Sequence, residues 1–218
     1  MAQITFVFGR HGNASSIDPS VTDQRLADQA RPLSDKGRRQ AKNTGNVLAA
    51  AFPGLVFDVV IASDGLRAIE TIATVTNTPQ DEVIIVPELY MPDGEDGDTL
   101  EKMFGELRYN TTTAYLKHPL AATRCLSRYA NSAAAAILSK LRVTSLTHLD
   151  EGTVIAIGGH AICNTLGAAA LLRTLPNAEA VATIVENLDF KEAGIVVVTA
   201  DITGVQPMNI EFVYNPTG

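Results

Sequence analysis

The stretch ITFVFGRHG, residues 4–12, indicates both the fold and the place of its chemistry. Ile4 to Phe8 form a β-branched and aromatic run that is typical of a buried strand, and Gly9 ends the run. The charged pair Arg10-His11 follows directly. We therefore predict a strand whose carboxyl end presents a guanidinium and an imidazole.

Downstream of this stretch, apolar strand segments alternate with amphipathic helix segments. Strands are predicted over Val56–Ala62, Val83–Val86 and Thr153–Gly158, with a terminal hairpin of Gly194–Ala200 and Asn209–Tyr214. Helices are predicted from the N-cap Ser34 to Pro53, from the N-cap Ser63, and over Thr99–Tyr109, Ala121–Leu141 and Ile162–Leu172, with a loop over Met91–Gly97.

This alternation predicts an α/β fold: a three-layer αβα arrangement with a mostly parallel central sheet and an antiparallel edge hairpin. The helical segments between about residues 98 and 145 are expected to form an insertion over the C-terminal edge of the sheet. We expect residues 1–218 to form a single domain, because a chain of 218 residues that is 46% hydrophobic can bury one sizeable core.

Charge and cysteine content narrow the class of protein. Seventeen Lys and Arg against 24 Asp and Glu give a net charge of -7, which argues against a nucleic-acid partner. Two cysteines are too few for a disulfide scaffold, and no apolar run approaches the roughly 20 residues that cross a bilayer. We expect a cytoplasmic protein without membrane contact. The histidines lack metal-ligand spacing, so neither a metal nor another cofactor is expected.

Three predicted strand ends carry side chains suited to one anion. Arg10 and His11 follow the first strand, Ser63 and Arg67 follow the second, and His160 follows the strand that ends near residue 158. With Ser63 as N-cap, Arg67 is expected in the second helical turn, from which it can reach back toward the sheet edge. Two guanidinium forks and two imidazoles at one edge suit a phosphate dianion.

These residues resemble the histidine phosphatase superfamily, also called phosphoglycerate mutase-like. Residues 8–14 (FGRHGNA) resemble its signature loop, residues 31–37 (RPLSDKG) its following helix start, and residues 62–71 (ASDGLRAIET) its second phosphate-binding segment. The motifs are most similar to those of bacterial phosphohistidine phosphatases and broad-specificity phosphatases. Asp64, Glu70 and Gly9 depart from the usual pattern, and we expect the Asp64 side chain to point away from a bound phosphate.

The resemblance implies a phosphatase in which His11 attacks phosphorus and forms a phosphohistidine that water then hydrolyses. Arg10, Arg67 and His160 would hold the transferring oxygens. A neutral His11 requires that its other ring nitrogen donate to an acceptor such as a backbone carbonyl. Further substrate-binding candidates, each near one of these groups in the chain, are Gly12, Asn13, Ser63 and Ala161.

The proton donor is expected among carboxyl groups in loops. The family often places it after the third strand, where this chain has Glu88; Asp18, Asp93, Glu95 and Asp96 are alternatives. The expected partner is a small phosphorylated substrate or a phosphohistidine protein. Two other functions stay open: a phosphoglycerate mutase-type phosphotransferase, and a phosphate-binding module without turnover.

Overall fold

A six-stranded mixed sheet forms the centre of the molecule in the computed structural model, which describes residues 2–108 and 110–216. The strands are β1 (Gln3–Arg10), β2 (Val59–Ala62), β3 (Ile84–Ile85), β4 (Val154–Gly159), β5 (Ile195–Asp201) and β6 (Asn209–Tyr214). Their order across the sheet is β3-β2-β4-β1-β5-β6. The first four strands in that order are parallel, and β5 and β6 are antiparallel to their neighbours. The predicted fold class and terminal hairpin are confirmed.

The register of the parallel strands brings their carboxyl ends to one level. Arg10 at the end of β1 pairs with Gly159 at the end of β4. Ala62 at the end of β2 pairs with Gly158. The residues that follow these three strands therefore emerge together at one edge of the sheet.

Strand residues alternate between two hydrophobic cores, one on each face of the sheet, because side chains on a strand point to opposite sides in turn. Phe6 and Phe8 belong to the larger core. Val7 between them belongs to the smaller core on the other face. Burial on both faces explains why β1 is apolar without a polar alternation.

Helices cover both faces and give the three layers. They are α1 (Gln24–Gln29), α2 (Asp35–Ala51), α3 (Leu66–Thr76), α4 (Gly94–Leu107), α5 (Thr112–Leu116), α6 (Cys125–Lys140), α7 (Ala161–Leu172) and α8 (Glu179–Glu186). Buried residues of α2 and α3 contribute to the smaller core, and those of α4 to α8 to the larger one. No helix within residues 2–108 and 110–216 has the length and apolar character needed to cross a bilayer.

Of the two predicted serine N-caps, the structure contains one. Ser34 does cap α2, since its hydroxyl accepts from the Gly37 amide at 3.1 Å. Ser63 does not cap α3, which begins at Leu66, because the Ser63 hydroxyl is buried and bonded elsewhere. Arg67 therefore lies in the first helical turn rather than the second.

The segment that we predicted as a loop over Met91–Gly97 instead contains the start of α4 at Gly94. Two carboxylates in its first turn, Glu95 and Asp96, favour that helix end through the macrodipole. The predicted helix over Ala121–Leu141 begins later, at Cys125, after a short 3-10 segment. Tyr109, the predicted end of a helix, lies outside the described residues. Helices α1, α5 and α8 were not predicted.

Candidate active site

The backbone at the end of β1 is held from both sides. The His11 amide donates to the Gly159 carbonyl at 2.9 Å, and the His11 carbonyl accepts from the Ala193 amide at 3.0 Å. The Arg10 amide donates to the Gly194 carbonyl at 2.9 Å. Hydrogen bonds to segments on both sides of β1 thus fix the main chain that carries the two side chains.

Two buried side chains that the sequence interpretation missed tie this strand end to the helices above and below the sheet. The Thr71 hydroxyl of α3 accepts from the Gly12 amide at 2.9 Å and donates to the Arg67 carbonyl at 2.7 Å. The Asn164 amide of α7 donates to the Gly9 carbonyl at 3.0 Å. Thr71 lies four residues after Arg67, a helical spacing that could have indicated its inward orientation.

The His11 ring has a defined tautomer. Its Nδ1 lies 2.7 Å from the Gly12 carbonyl oxygen, and a carbonyl can only accept, so Nδ1 carries the hydrogen. Nε2 is left with a lone pair and accepts from Arg67 Nε at 3.4 Å. Removal from water, followed by the charge of Arg67, lowers the pKa of His11 to about 3, although the bond to Gly12 acts in the opposite direction. His11 is therefore neutral, with a free electron pair at Nε2.

Arg67 is the buried centre of the cluster. Besides its bond to His11, its Nη2 lies 3.4 Å from Nδ1 of His160. The same Nη2 donates to Asp28 Oδ2 at 2.7 Å, and Nη1 donates to the Asp28 carbonyl at 2.5 Å. All three nitrogens of the guanidinium therefore face a histidine or Asp28.

Asp28 is a site residue that the sequence interpretation missed. Its carboxylate also accepts from Arg31 at 2.8 Å and from the Tyr90 hydroxyl. Burial raises the pKa of Asp28, but the Tyr90 hydrogen bond, the charge of Arg67 and the bonds from Arg31 and Arg67 outweigh it and lower that pKa to about 2. Asp28 is therefore ionised. Its position three residues before Arg31, a helical spacing, was the available sequence signal.

His160 is the N-cap of α7 and lies beside His11, with ring centroids 5.0 Å apart. Its Nε2 lies 2.9 Å from the Ser63 hydroxyl. Burial, then the electrostatic coupling to the His11 ring and the charges of Arg67 and Arg10, keep the pKa of His160 well below its usual value. Glycine suits position 65, because a Cβ there would lie only 3.1 Å from the His160 ring.

These groups line a cavity of about 290 Å³. Its wall includes the N-terminal residue of α7, Ala161, and a helix N-terminus carries partial positive charge. Among the described residues, the carboxylates on the wall are Asp28 and Glu192, and the cations are Arg10, Arg31 and Arg67. Met91 and Phe104 supply an apolar part. The cavity thus joins a cationic end to a partly apolar one.

The structure brings most of the predicted site residues together. The members on the cavity wall are Arg10, His11, Asn13, Arg67, His160 and Ala161. Gly12 and Ser63 lie just behind His11 and His160, as their hydrogen bonds show. Asn13 is fixed by its side-chain bonds to Glu192 at 2.9 Å and Ser34 at 2.7 Å.

Glu88 is the predicted site residue that the structure does not bring to the cavity. It is exposed on the short 3-10 segment Pro87–Leu89, and it lines a separate surface depression near Arg128. The turn buries Leu89 and directs Tyr90 toward His160, which leaves Glu88 on the outer side. Adjacent residues of such a turn face different directions, so Tyr90 faces the cavity and Glu88 does not.

The four alternative carboxylates, Asp18, Asp93, Glu95 and Asp96, are also absent from the described cavity wall. Asp18 accepts from Ser20, and Asp96 accepts from Arg128 at 2.8 Å. Asp64, a departure from the family pattern, faces away from the cavity and accepts from Gln29 at 3.0 Å, as expected from its charge. No group of three His, Cys, Asp or Glu within the described ranges is arranged to hold a metal ion.

The α/β fold and the cationic cavity at its sheet edge define a protein built to accept a phosphate-like anion. Residues 6–91 match the model of the histidine phosphatase superfamily, branch 1. Over this segment the chain is therefore similar to the histidine phosphatase superfamily, as its motifs predicted. No curated protein matches the chain by sequence.

Solved structures of low sequence identity share the fold over nearly the whole chain. Phosphoserine phosphatase from Entamoeba histolytica, in complex with 3-phosphoglyceric acid, is 16% identical, with a TM-score of 0.56 and 98% of each chain covered. The protein histidine phosphatase SixA, complexed with tungstate, is 20% identical, with a TM-score of 0.51 and 97% of this chain and 96% of that chain covered.

A mycobacterial glucosyl-3-phosphoglycerate phosphatase, complexed with VO3, is 18% identical, with a TM-score of 0.52 and 98% of this chain and 99% of that chain covered. The three neighbours are named for three different substrates. Their likeness to this chain therefore concerns the fold and leaves the substrate open.

Proposed function

We propose that the protein hydrolyses a small phosphomonoester through a phosphohistidine intermediate on His11. The observation that supports this most directly is the neutral His11 ring, whose Nε2 lone pair lies 3.4 Å from the Arg67 guanidinium. A phosphoryl group held by Arg67 would lie directly against that lone pair. A nucleophile and the group that positions its target are then adjacent before substrate arrives.

In the first chemical step, the Nε2 lone pair of His11 forms a bond to phosphorus while the bond from phosphorus to the leaving oxygen breaks. His11 keeps its Nδ1 hydrogen, and the Gly12 carbonyl stabilises the positive charge that the ring gains. In the second step, water attacks phosphorus, the bond to Nε2 breaks, and the electron pair returns to His11. Inorganic phosphate is released and the free protein is restored.

The positive groups around His11 offset the charge that spreads over the phosphoryl oxygens in both transition states. Arg10 and Arg67 would provide guanidinium hydrogens, and His160 and the N-terminus of α7 would add further donors. Such fixed donors act strongly when water is largely excluded, and Arg67 is only 5% exposed. The cluster therefore suits both the transfer to His11 and the hydrolysis that follows.

A small substrate fits the cavity better than a large one. About 290 Å³ accommodates a phosphoryl group and a modest organic group beside Met91 and Phe104. We further propose that the helical segments between about residues 98 and 145 limit access, because Phe104 of α4 forms part of the wall. This favours a small phosphorylated molecule over a phosphohistidine on a folded protein.

The test compares wild type with His11→Ala and with His148→Ala, a matched change at a histidine outside the cavity. With para-nitrophenyl phosphate, wild type and His148→Ala should release phosphate and form an acid-labile phosphoenzyme, whereas His11→Ala should do neither. Equal turnover by His11→Ala would overturn the proposal. Interconversion of phosphoglycerate isomers without phosphate release would instead establish a mutase, and phosphate binding without turnover would establish a binding module.

A further inference from the structure

Asp28 and the proposed nucleophile share one guanidinium. Arg67 donates to Asp28 Oδ2 at 2.7 Å from Nη2, and to His11 Nε2 at 3.4 Å from Nε. These two nitrogens lie on the same edge of the planar fork. An anion that binds this edge therefore contacts both the Asp28 carboxyl and the His11 ring.

The lengths of its hydrogen bonds show that Arg67 binds the Asp28 carboxylate more closely than it binds either histidine. The contacts to the two histidines are both 3.4 Å, and the contact to the Asp28 carboxylate is a charge-assisted 2.7 Å. In the free protein Asp28 thus occupies the place on Arg67 that a phosphoryl oxygen would take. A bound phosphoryl group must displace this carboxylate by a short distance and then remain beside it.

The other carboxylate on the described cavity wall has different partners. Glu192 accepts from Asn13 at 2.9 Å and Gln40 at 3.3 Å, and forms an ion pair with Lys36 at 3.9 Å. These partners hold it beside α2 rather than beside Arg67. Asp28 is therefore the carboxyl group whose position on Arg67 links it directly to the reacting phosphoryl group.

We propose that Asp28 is the acid and base of the reaction: its carboxyl group protonates the leaving oxygen and later removes a proton from the attacking water. This assignment rests on the proposed function of His11. In the first step the Asp28 proton passes to the leaving oxygen as its bond to phosphorus breaks. In the second step the Asp28 carboxylate takes one proton from water as the new oxygen-phosphorus bond forms, which restores the acid.

The negative charge of a phosphomonoester bound beside Arg67 would raise the pKa of the Asp28 carboxyl and favour its protonated form, because like charges at one site disfavour ionisation. In the free protein the ionised form is stabilised by Arg67, Arg31 and Tyr90, and the neutral His11 lies near it. A phosphomonoester takes the charge of Arg67 and has a second pKa of about 6. Near neutral pH the substrate and Asp28 therefore hold one proton between them. The hydrogen bonds from Tyr90 and Arg31 keep the Asp28 carboxyl near the cavity after it has left Arg67.

The test uses the dependence of rate on the leaving group. Asp28→Asn should lower kcat/KM for phenyl phosphate by about 10²- to 10⁴-fold, because phenolate is a poor leaving group and needs a proton. For para-nitrophenyl phosphate, whose leaving group needs less protonation, the loss in phosphoenzyme formation should be less than about tenfold. Glu88→Gln, a matched carboxyl-to-amide change outside the cavity, should leave both rates unchanged.

Phosphoenzyme trapping separates this proposal from the proposed function. With radiolabelled para-nitrophenyl phosphate, Asp28→Asn should accumulate more acid-labile phosphoenzyme than wild type, because its hydrolysis lacks the base. If wild type and every variant form none, the proposed function itself fails. If wild type forms it but Asp28→Asn loses equal activity on both substrates, or gains activity, then Asp28 only positions or blocks Arg67 and the assignment is overturned.

A second variant guards against misfolding of Asp28→Asn. Asp28→Glu retains a carboxyl group. On phenyl phosphate it should be at least tenfold more active than Asp28→Asn, whereas on para-nitrophenyl phosphate the two variants should differ little. Equal activity of the two variants on phenyl phosphate would contradict a role in proton transfer. Thermal unfolding of each variant, with and without vanadate, reports whether the cavity is intact.

Discussion

The ends of β1 and β4 carry two histidines that share several features and differ in one that bears on their chemistry. His11 and His160 are neighbours on the same cavity, both contact Arg67, and both have a lowered pKa. They differ in the partner of the second ring nitrogen. His11 faces a backbone carbonyl, whereas His160 faces the hydroxyl of Ser63.

This single difference suits the two rings to different tasks. A carbonyl only accepts, so it fixes the hydrogen on Nδ1 of His11 and leaves the lone pair on Nε2. A hydroxyl can donate or accept, so Ser63 permits either tautomer of His160. Nδ1 accepts from Arg67 in the free protein, and it can carry the hydrogen and donate once a phosphoryl oxygen takes that contact. The fixed tautomer favours a nucleophile, and the adaptable one favours an oxyanion donor.

The largest expected effect is at His11. Because His11→Ala removes the attacking atom, kcat/KM for para-nitrophenyl phosphate should fall by about 10⁴- to 10⁶-fold. Steady-state kinetics at neutral pH measures the loss. A decrease of less than a hundredfold would show that another group attacks phosphorus.

The same substitution at the end of β4 should cost less. His160→Ala removes one donor to the phosphoryl oxygens and should lower kcat by about 10²- to 10³-fold. Phosphoenzyme should still form on His11, only more slowly. Rapid-quench measurement of phosphoenzyme formation tests this, and complete absence of phosphoenzyme in His160→Ala would break the distinction between the two rings.

Both histidines should weaken the fold in acid. The pKa of His11 falls from 6.5 to about 3 on folding, so between these pH values the unfolded chain binds a proton that the folded site excludes. Stability is therefore full above about pH 6.5 and decreases as pH falls toward 3, by about 1.4 kcal/mol per pH unit for each such histidine. The lowered pKa of Asp28, about 2, adds its loss only below about pH 4.

Urea unfolding of wild type and of a His11→Gln/His160→Gln variant between pH 7 and about pH 4.5 checks this prediction. The variant should show a flatter dependence of the free energy of unfolding on pH. Parallel curves for the two proteins would mean that the rings are protonated in the folded state.

The smallest effect is expected at Ser63. Ser63→Ala leaves Nε2 of His160 without its hydroxyl partner and should destabilise the fold by about 1–3 kcal/mol, with less than a tenfold loss of kcat. Thermal unfolding and steady-state kinetics measure the two changes. A loss of kcat equal to that of His160→Ala would indicate that Ser63 alone orients the ring.

Sequence patterns located the groups that follow directly from a strand. Arg10, His11, Arg67 and His160 were predicted because parallel strands end at one edge of a sheet, and all four line the cavity. Glu88 could not be placed in this way, since the side on which it lies depends on a 3-10 turn and on the burial of its neighbour Leu89.

Asp28 was missed for a related reason. It lies on α1, a helix of six residues with one buried position, Ala27, so its apolar periodicity is too short to recognise. The predicted start of α3 was wrong because serine is a preferred N-cap residue, whereas the Ser63 hydroxyl bonds to His160, about a hundred residues downstream. For α3, a long-range contact thus decides the local structure.

The backbone contacts of β1 have a consequence for how this chain can be divided. The strand that carries His11 lies between β4 and β5, and the backbone of His11 is bonded to Gly159 and Ala193. All of these partners follow residue 91, where the match to the family model ends. The His11 side chain and the backbone groups that hold it therefore come from different parts of the chain. Cutting the chain after Met91 would therefore separate His11 from the strands and backbone groups that hold it in place.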